Sequence, residues 1–144
     1  RFARTSEGFV PAGHLRPVDA SEQDPGAVAL RFLGTPYLWG GNGRAGIDCS
    51  GLVQAVLLAC GIACPGDSDL QEETFAPLAD DAPLARGDLI FWRGHVAMAL
   101  SEVEMIHANA HHMAVAVEET AAAIARIEAE GGGAVTSRRR PGGA

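Results

Sequence analysis

Gly46-Ile47-Asp48-Cys49-Ser50-Gly51-Leu52-Val53 sets a cysteine directly ahead of an apolar run with helical spacing. Leu52, Val53, Val56, Leu57 and Ala59 recur with the period of a helix, Asp48 is a good N-cap, and Gly61 is a natural stop. The spacing therefore predicts a helix whose first turn carries Cys49. Unpaired backbone N–H groups and the positive end of the dipole favour a thiolate there, so the thiol pKa is expected to fall. An ordinary capped core helix with a buried thiol has the same local pattern. Residues further along the chain decide between the two.

Gly87-Asp88 is a turn pair, and Leu89-Ile90-Phe91-Trp92 after it reads as a buried strand. Arg93-Gly94 turns the chain into a second strand, His95-Val96-Ala97-Met98-Ala99-Leu100, and Val103-Glu104-Met105-Ile106-His107-Ala108 reads as a third. One histidine opens a strand and the other closes its neighbour. In an antiparallel hairpin those two positions share one end of the sheet, so His95 and His107 are expected to be neighbours. A cysteine with one imidazole as base and a second group orienting that imidazole is the general form of an activated nucleophile.

With Pro36-Tyr37-Leu38-Trp39-Gly40-Gly41 added to Asp48-Cys49-Ser50-Gly51-Leu52-Val53, Gly87-Asp88-Leu89-Ile90-Phe91, His95-Val96 and Ile106-His107-Ala108, the sequence resembles the NlpC-type papain-like cysteine peptidases, which trim bacterial cell-wall peptides. The resemblance covers roughly residues 24 to 140, and five motifs in the right order make it specific. The resemblance implies an α+β papain-like domain with N-terminal helices packed on an antiparallel sheet. It implies Cys49 as nucleophile, His95 as general base and then acid, and His107 as the polar third member. It further implies that Tyr37 assists the Cys49 N–H at the oxyanion, and that Asp48 and Ser50 help bind the free amine of the substrate. The substrate so implied is the γ-D-glutamyl bond to a diamino acid in murein stem peptides, and the place of action is the cell envelope or the exterior.

Composition agrees. The chain has 144 residues, enough for one domain with a core, with 47% apolar and 20% charged residues. A formal charge of −7 argues against a nucleic-acid partner. Arg138-Arg139-Arg140, the basic run, reads most simply as a solvated tail. No apolar stretch approaches the ~20 residues of a membrane span, and no signal-peptide pattern opens the chain. The mechanism calls for no cofactor, and oligomeric state is left open.

Residues 1–18 contain turn chemistry and a short apolar strand, and resemble the end of a bacterial SH3-like barrel; a plain leader is the alternative. Residues 19–144 form the expected peptidase domain. Asp24-Pro25 opens a first helix, Ser68-Asp69-Leu70-Gln71 is a capping-box pattern for a short one, and a further helix is expected from about Glu119 to Glu130. Ala134 to Arg139 reads as a final strand.

Cys60 and Cys64, in C-x₃-C spacing, read as small buried hydrophobes, although an oxidising envelope would allow them to pair. His107, His111 and His112 form a histidine-rich patch, but the flanking segments read as strands and no HExxH glutamate is present, so no metal site is assigned. Two departures from the family pattern bear on substrate preference. Gly66 stands where relatives commonly carry arginine, and Val96-Ala97-Met98-Ala99 lacks the glycines frequent there. Beside hydrolysis, the same residues allow acyl transfer or amidase chemistry, or a binding or regulatory module that has lost turnover.

Overall fold

The computed structural model describes residues 1–142; the last two residues of the expected peptidase domain lie outside the described residues. The chain opens with a hairpin, β1 (Phe2–Thr5) and β2 (Gly8–Pro11), followed by a 3₁₀ turn at Ala12–His14. Helix α1 (Pro25–Leu30) starts as its Asp-Pro pair dictates, with Asp24 Oδ1 accepting the Ala27 N–H at 3.1 Å. A small ribbon, β3 (Asn42–Gly43) and β4 (Gly46–Ile47), leads into α2 (Cys49–Ala59). Asp48 caps α2 by accepting the Gly51 N–H at 2.7 Å, and Gly61, at φ 75°, turns the chain away after the helix.

Helix α3 (Ser68–Thr74) and strand β5 (Ala76–Pro77) precede the main strands β6 (Leu89–Trp92), β7 (His95–Ala99), β8 (Glu104–Asn109) and β9 (Ala114–Glu119). Helix α4 (Thr120–Ala129) and strand β10 (Ser137–Arg140) follow. The main sheet has six strands in the order β5-β10-β6-β7-β8-β9, every pair antiparallel. The fold is thus α+β with helices against an antiparallel sheet.

Both faces of the sheet are covered. Val28 and Ala29 of α1 and Leu52, Val53, Val56 and Leu57 of α2 pack against Leu89, Phe91, Val96, Met98, Ile106 and Ala108. On the other face, Ala123, Ile124 and Ile127 of α4 pack against Ile90, Trp92, Ala97 and Met105. All four residues of β6 are therefore buried, which is why Leu89-Ile90-Phe91-Trp92 runs apolar without alternation.

Two local readings of the sequence are corrected. The capping box at Ser68 is not formed: α3 starts one residue after Asp67, no side chain caps it, and Gln71 turns inward instead. Fully buried, Gln71 donates from Nε2 to the carbonyls of Ser50 at 3.0 Å and Pro65 at 2.9 Å. Two buried carbonyls needing a donor outweigh a cap that water can replace.

The arginine run is not a solvated tail. It forms β10 between β5 and β6, and each guanidinium is anchored. Arg138 donates to the carbonyls of Ala82 and Asp80, and Arg139 to that of Phe75. Arg140 makes a two-pronged pair with buried Asp88, both contacts at 2.7 Å. Cys60 and Cys64 are free, half-buried and packed against the core edge.

Candidate active site

Cys49 occupies the first position of α2 and is 9% exposed. It lies on a cleft of about 530 Å³ whose walls include Tyr37, Trp39, Asp48, Ser50, Asp67, Asp69 and Arg93. The loop before α2 is held close by small residues. A Cβ on Gly51 would strike the Gly41 carbonyl, so glycine there lets the 40–41 backbone lie against the first helical turn. Asp48 ties that contact: Oδ2 accepts the Gly40 N–H at 2.9 Å, while Oδ1 accepts from Gly51 N–H and, at 3.3 Å, from the Ser50 hydroxyl. Tyr37 is positioned by its N–H to the Met113 carbonyl at 3.0 Å and by a bridge to Ile47.

The thiol does not have the lowered pKa expected from its helix position. Burial pushes it up, and the Asp48 carboxylate adds to that; the backbone N–H groups of Val96, Ser50 and Cys49 itself oppose the rise without cancelling it. The dipole argument holds for a solvated helix end, whereas this one is closed by the β7 backbone and the 40–41 loop.

His95 and His107 are brought together. The β7–β8 register pairs Met98 with Ile106 and Ala99 with Met105, and carried on it sets Ala97 opposite His107, which makes His95 the diagonal neighbour on the same face. His95 Nε2 lies 2.8 Å from His107 Nδ1. A second diagonal continues the row: β9 pairs Ala116 with His107, and Glu118 two residues on places Oε2 at 2.6 Å from His107 Nε2. Arg126, from the helix packed on this face, donates to the same oxygen at 2.7 Å.

Burial pushes His95 down to about 3, with the positive charge of Arg126, and of His107 whenever it is protonated, acting in the same direction and Glu118 opposing them. His107 is lowered by burial too, against the pull of Glu118. Burial works to raise the Glu118 carboxyl, but the hydrogen bonds from His107 and Arg126 prevail and hold it below the usual carboxylate range. The row at neutral pH is therefore two neutral imidazoles ending on a carboxylate.

His111 and His112 lie beside this row without joining its hydrogen bonds, His112 Nδ1 being 3.9 Å from Glu118 Oε2. Their rings meet edge to face with centroids 4.9 Å apart, His111 lies 3.3 Å from Glu130, and His112 donates from Nδ1 to Asn109 Oδ1 at 3.0 Å. Among the described residues, no three His, Cys, Asp or Glu side chains are grouped to hold a metal ion.

Sequence reasoning missed Glu118, Arg126 and Gln71. Glu118 was detectable only through register: Ala114, Ala116 and Glu118 alternate onto the face that carries His107.

Residues 34–127, well over half of the chain, match the model of the NlpC/P60 family. The chain belongs to the NlpC/P60 family. Among its relatives, dipeptidyl-peptidase 6 of Lysinibacillus sphaericus is 34% identical over 98 residues, covering 68% of this chain and 36% of that protein. A γ-D-glutamyl-L-lysine dipeptidyl-peptidase of Bacillus cereus is 39% identical over 84 residues, covering 53% of this chain and 25% of that protein. The chain thus spans about a third or less of the length of these curated relatives. The NlpC/p60 domain of the peptidoglycan hydrolase SagA superposes with a TM-score of 0.64 at 31% identity, covering 80% of this chain and 94% of that domain.

Proposed function

We propose that this NlpC/P60 chain is a cysteine peptidase that hydrolyses the γ-D-glutamyl amide bond to a diamino acid in murein stem peptides. The observation that carries the reading is the conjunction of Cys49 at a helix start in an open cleft with the His95–His107 pair at 2.8 Å. The relatives named for γ-D-glutamyl-L-lysine and dipeptidyl peptidase activity support the choice of bond.

In this mechanism substrate binding completes the exclusion of water, and the Cys49 proton passes to His95 Nδ1 as sulphur attacks the amide carbonyl. The tetrahedral oxyanion is met by the Cys49 N–H and the Tyr37 hydroxyl, which burial and the nearby Cys49 and Asp48 hold in its protonated, donating form. His95 returns its proton to the leaving amine as the C–N bond breaks, leaving a thioester. Water, deprotonated by His95, then attacks that thioester; the γ-D-glutamyl acid departs and the proton restores the Cys49 thiol.

Asp48 serves first as scaffold, since both carboxylate oxygens already accept backbone N–H groups. Its remaining lone pairs, with Ser50, face the role of binding the substrate's free amine. Asp67, Asp69 and Arg93 among its lining residues give the cleft charges of both signs, which suits a short peptide carrying an amine and carboxylates. Action on murein places the protein at the cell envelope or outside it. Phe2 and Phe9, 68% and 72% exposed on the β1–β2 hairpin, support reading residues 1–18 as part of an SH3-like unit beside the peptidase domain.

The test is mass spectrometry of defined murein peptides incubated with the protein. Products split between D-glutamate and the diamino acid support the reading. Products joined to an added amine make it an acyltransferase, and unchanged peptides that nevertheless bind make it a binding module; both overturn hydrolysis.

A further inference from the structure

The residues behind His107 have no part in the chemistry proposed above, and their hydrogen-bond arithmetic is unusually restrictive. A carboxylate only accepts, and a guanidinium only donates. Glu118 Oε2 receives Arg126 Nη2 at 2.7 Å and His107 Nε2 at 2.6 Å, so the proton of neutral His107 is on Nε2. His107 Nδ1 is then an acceptor, and the 2.8 Å contact requires His95 to donate from Nε2. The one nitrogen of the row left with a lone pair that accepts no hydrogen bond within it is His95 Nδ1, the atom that must act as base. From this chain of obligations we infer that Glu118, fixed by Arg126, is a positioning residue that sets the tautomers of His107 and His95.

The placement is built for the task. Three adjacent strands supply His95, His107 and Glu118 as successive diagonal neighbours on one sheet face, and α4 supplies Arg126 from the layer packed on that face. The His107 side chain is wholly inaccessible and that of Glu118 is 15% exposed, so water does not replace the lost acceptor freely. Other titratable groups reach the same hub: His112 Nδ1 lies 3.9 Å from Glu118 Oε2, and Arg126 also pairs with Glu130 at 3.1 Å, which in turn meets His111. Neither duplicates the acceptor at His107 Nε2. Without Glu118, the Nδ1–H form of His107 is released, and it donates to His95 Nε2 and moves the His95 proton to the wrong nitrogen.

The proposal rests on His95 being the base, and its test separates the two ideas. Nitrogen-15 spectra of histidine-labelled protein distinguish Nε2–H from Nδ1–H imidazole whether or not the protein cleaves murein. In the native chain both His95 and His107 are expected as Nε2–H forms. Glu118→Ala is expected to give mixed tautomers at both rings and to lower kcat about tenfold or more with KM changed less than twofold. Glu118→Gln keeps an acceptor oxygen facing Arg126, so it is expected to retain the native tautomers and most of kcat. Its missing negative charge moves the acid limb of kcat/KM to lower pH, because Glu118 favours protonated His95.

Native tautomers persisting in a folded Glu118→Ala protein, or an Nδ1–H form of His107 in the native chain, overturn the positioning role. If Glu118→Ala does not fold, Arg126→Gln and Glu118→Gln carry the test: a fully unchanged pH profile and tautomer pattern in both overturns it. Native tautomers shifting in Glu118→Ala while wild type leaves murein uncut would support the positioning role and reject only the peptidase reading.

Discussion

His95 and His107 meet ring to ring, Nε2 to Nδ1 at 2.8 Å, across two strands whose residues there lie 12 apart in sequence. The contact assigns unequal weight to the two side chains. In the proposed mechanism His95 keeps Nδ1 for the reacting proton, whereas the His107 side chain is inaccessible and its ring nitrogens meet His95 and Glu118. His95→Ala is therefore expected to lower kcat/KM by about 10²–10⁴, the usual worth of a general base. His107→Asn keeps an acceptor oxygen for His95 and should cost less, about 10–100-fold, as for other groups that orient a functional imidazole. Steady-state kinetics on a defined stem peptide checks the order, and equal losses in the two variants would reject it.

Both imidazoles are buried in the neutral state, and that fixes the sign of a pH effect on stability. His95 is lowered from its ordinary 6.5 to about 3, so between those values the unfolded chain binds a proton that the folded chain refuses. Stability should be fully present above pH 6.5 and should decline as pH falls below it, by up to about 1.4 kcal/mol per pH unit for each such group. Urea unfolding between pH 7 and 4 measures the slope. His95→Gln should flatten it, and an unchanged slope in that variant would show that other groups carry the acid sensitivity.

Much of this was legible locally. Asp48 as cap, Cys49 in the first turn and Gly61 as stop are set by neighbours in sequence, and the Arg93-Gly94 turn fixes which ends of β7 and β8 meet. What failed to show depends on distant partners. Arg126 in the last turn of α4 and Glu118 at a strand end look like solvent-facing charges until the β8–β9 register and the packing of α4 join them. Arg138, Arg139 and Arg140 look like a tail because the carbonyls and the Asp88 carboxylate that receive them come from other elements. The thiol of Cys49 was misread for the same reason, since helix position is local and burial is not.

The raised thiol has its own signature. With Cys49 pushed above its ordinary value by burial, and His95 pushed down, the resting pair is a thiol and a neutral imidazole. Alkylation of Cys49 by iodoacetamide should climb through the alkaline range. A rate already at plateau below pH 7 would show a resting thiolate–imidazolium pair instead.

Gln71 binds the first turn of α2 to the loop before α3. Gln71→Leu leaves the Ser50 and Pro65 carbonyls without their buried donor and should destabilise the fold by about 1–3 kcal/mol. Because the Ser50 carbonyl is one residue from Cys49, kcat should fall as well. Thermal unfolding and kinetics on the same sample check both, and a variant as stable and active as the native chain would remove Gln71 from the account.

The central claim is that Cys49 forms a covalent acyl-enzyme with a murein stem peptide. Intact-protein and peptide-resolved mass spectrometry after rapid acid quenching of a stem-peptide reaction measures it directly. The account predicts an adduct with the mass of the γ-D-glutamyl acyl portion on the peptide containing Cys49, absent in Cys49→Ala. Cleavage that persists in Cys49→Ala, or an adduct on Cys60 or Cys64, would contradict it.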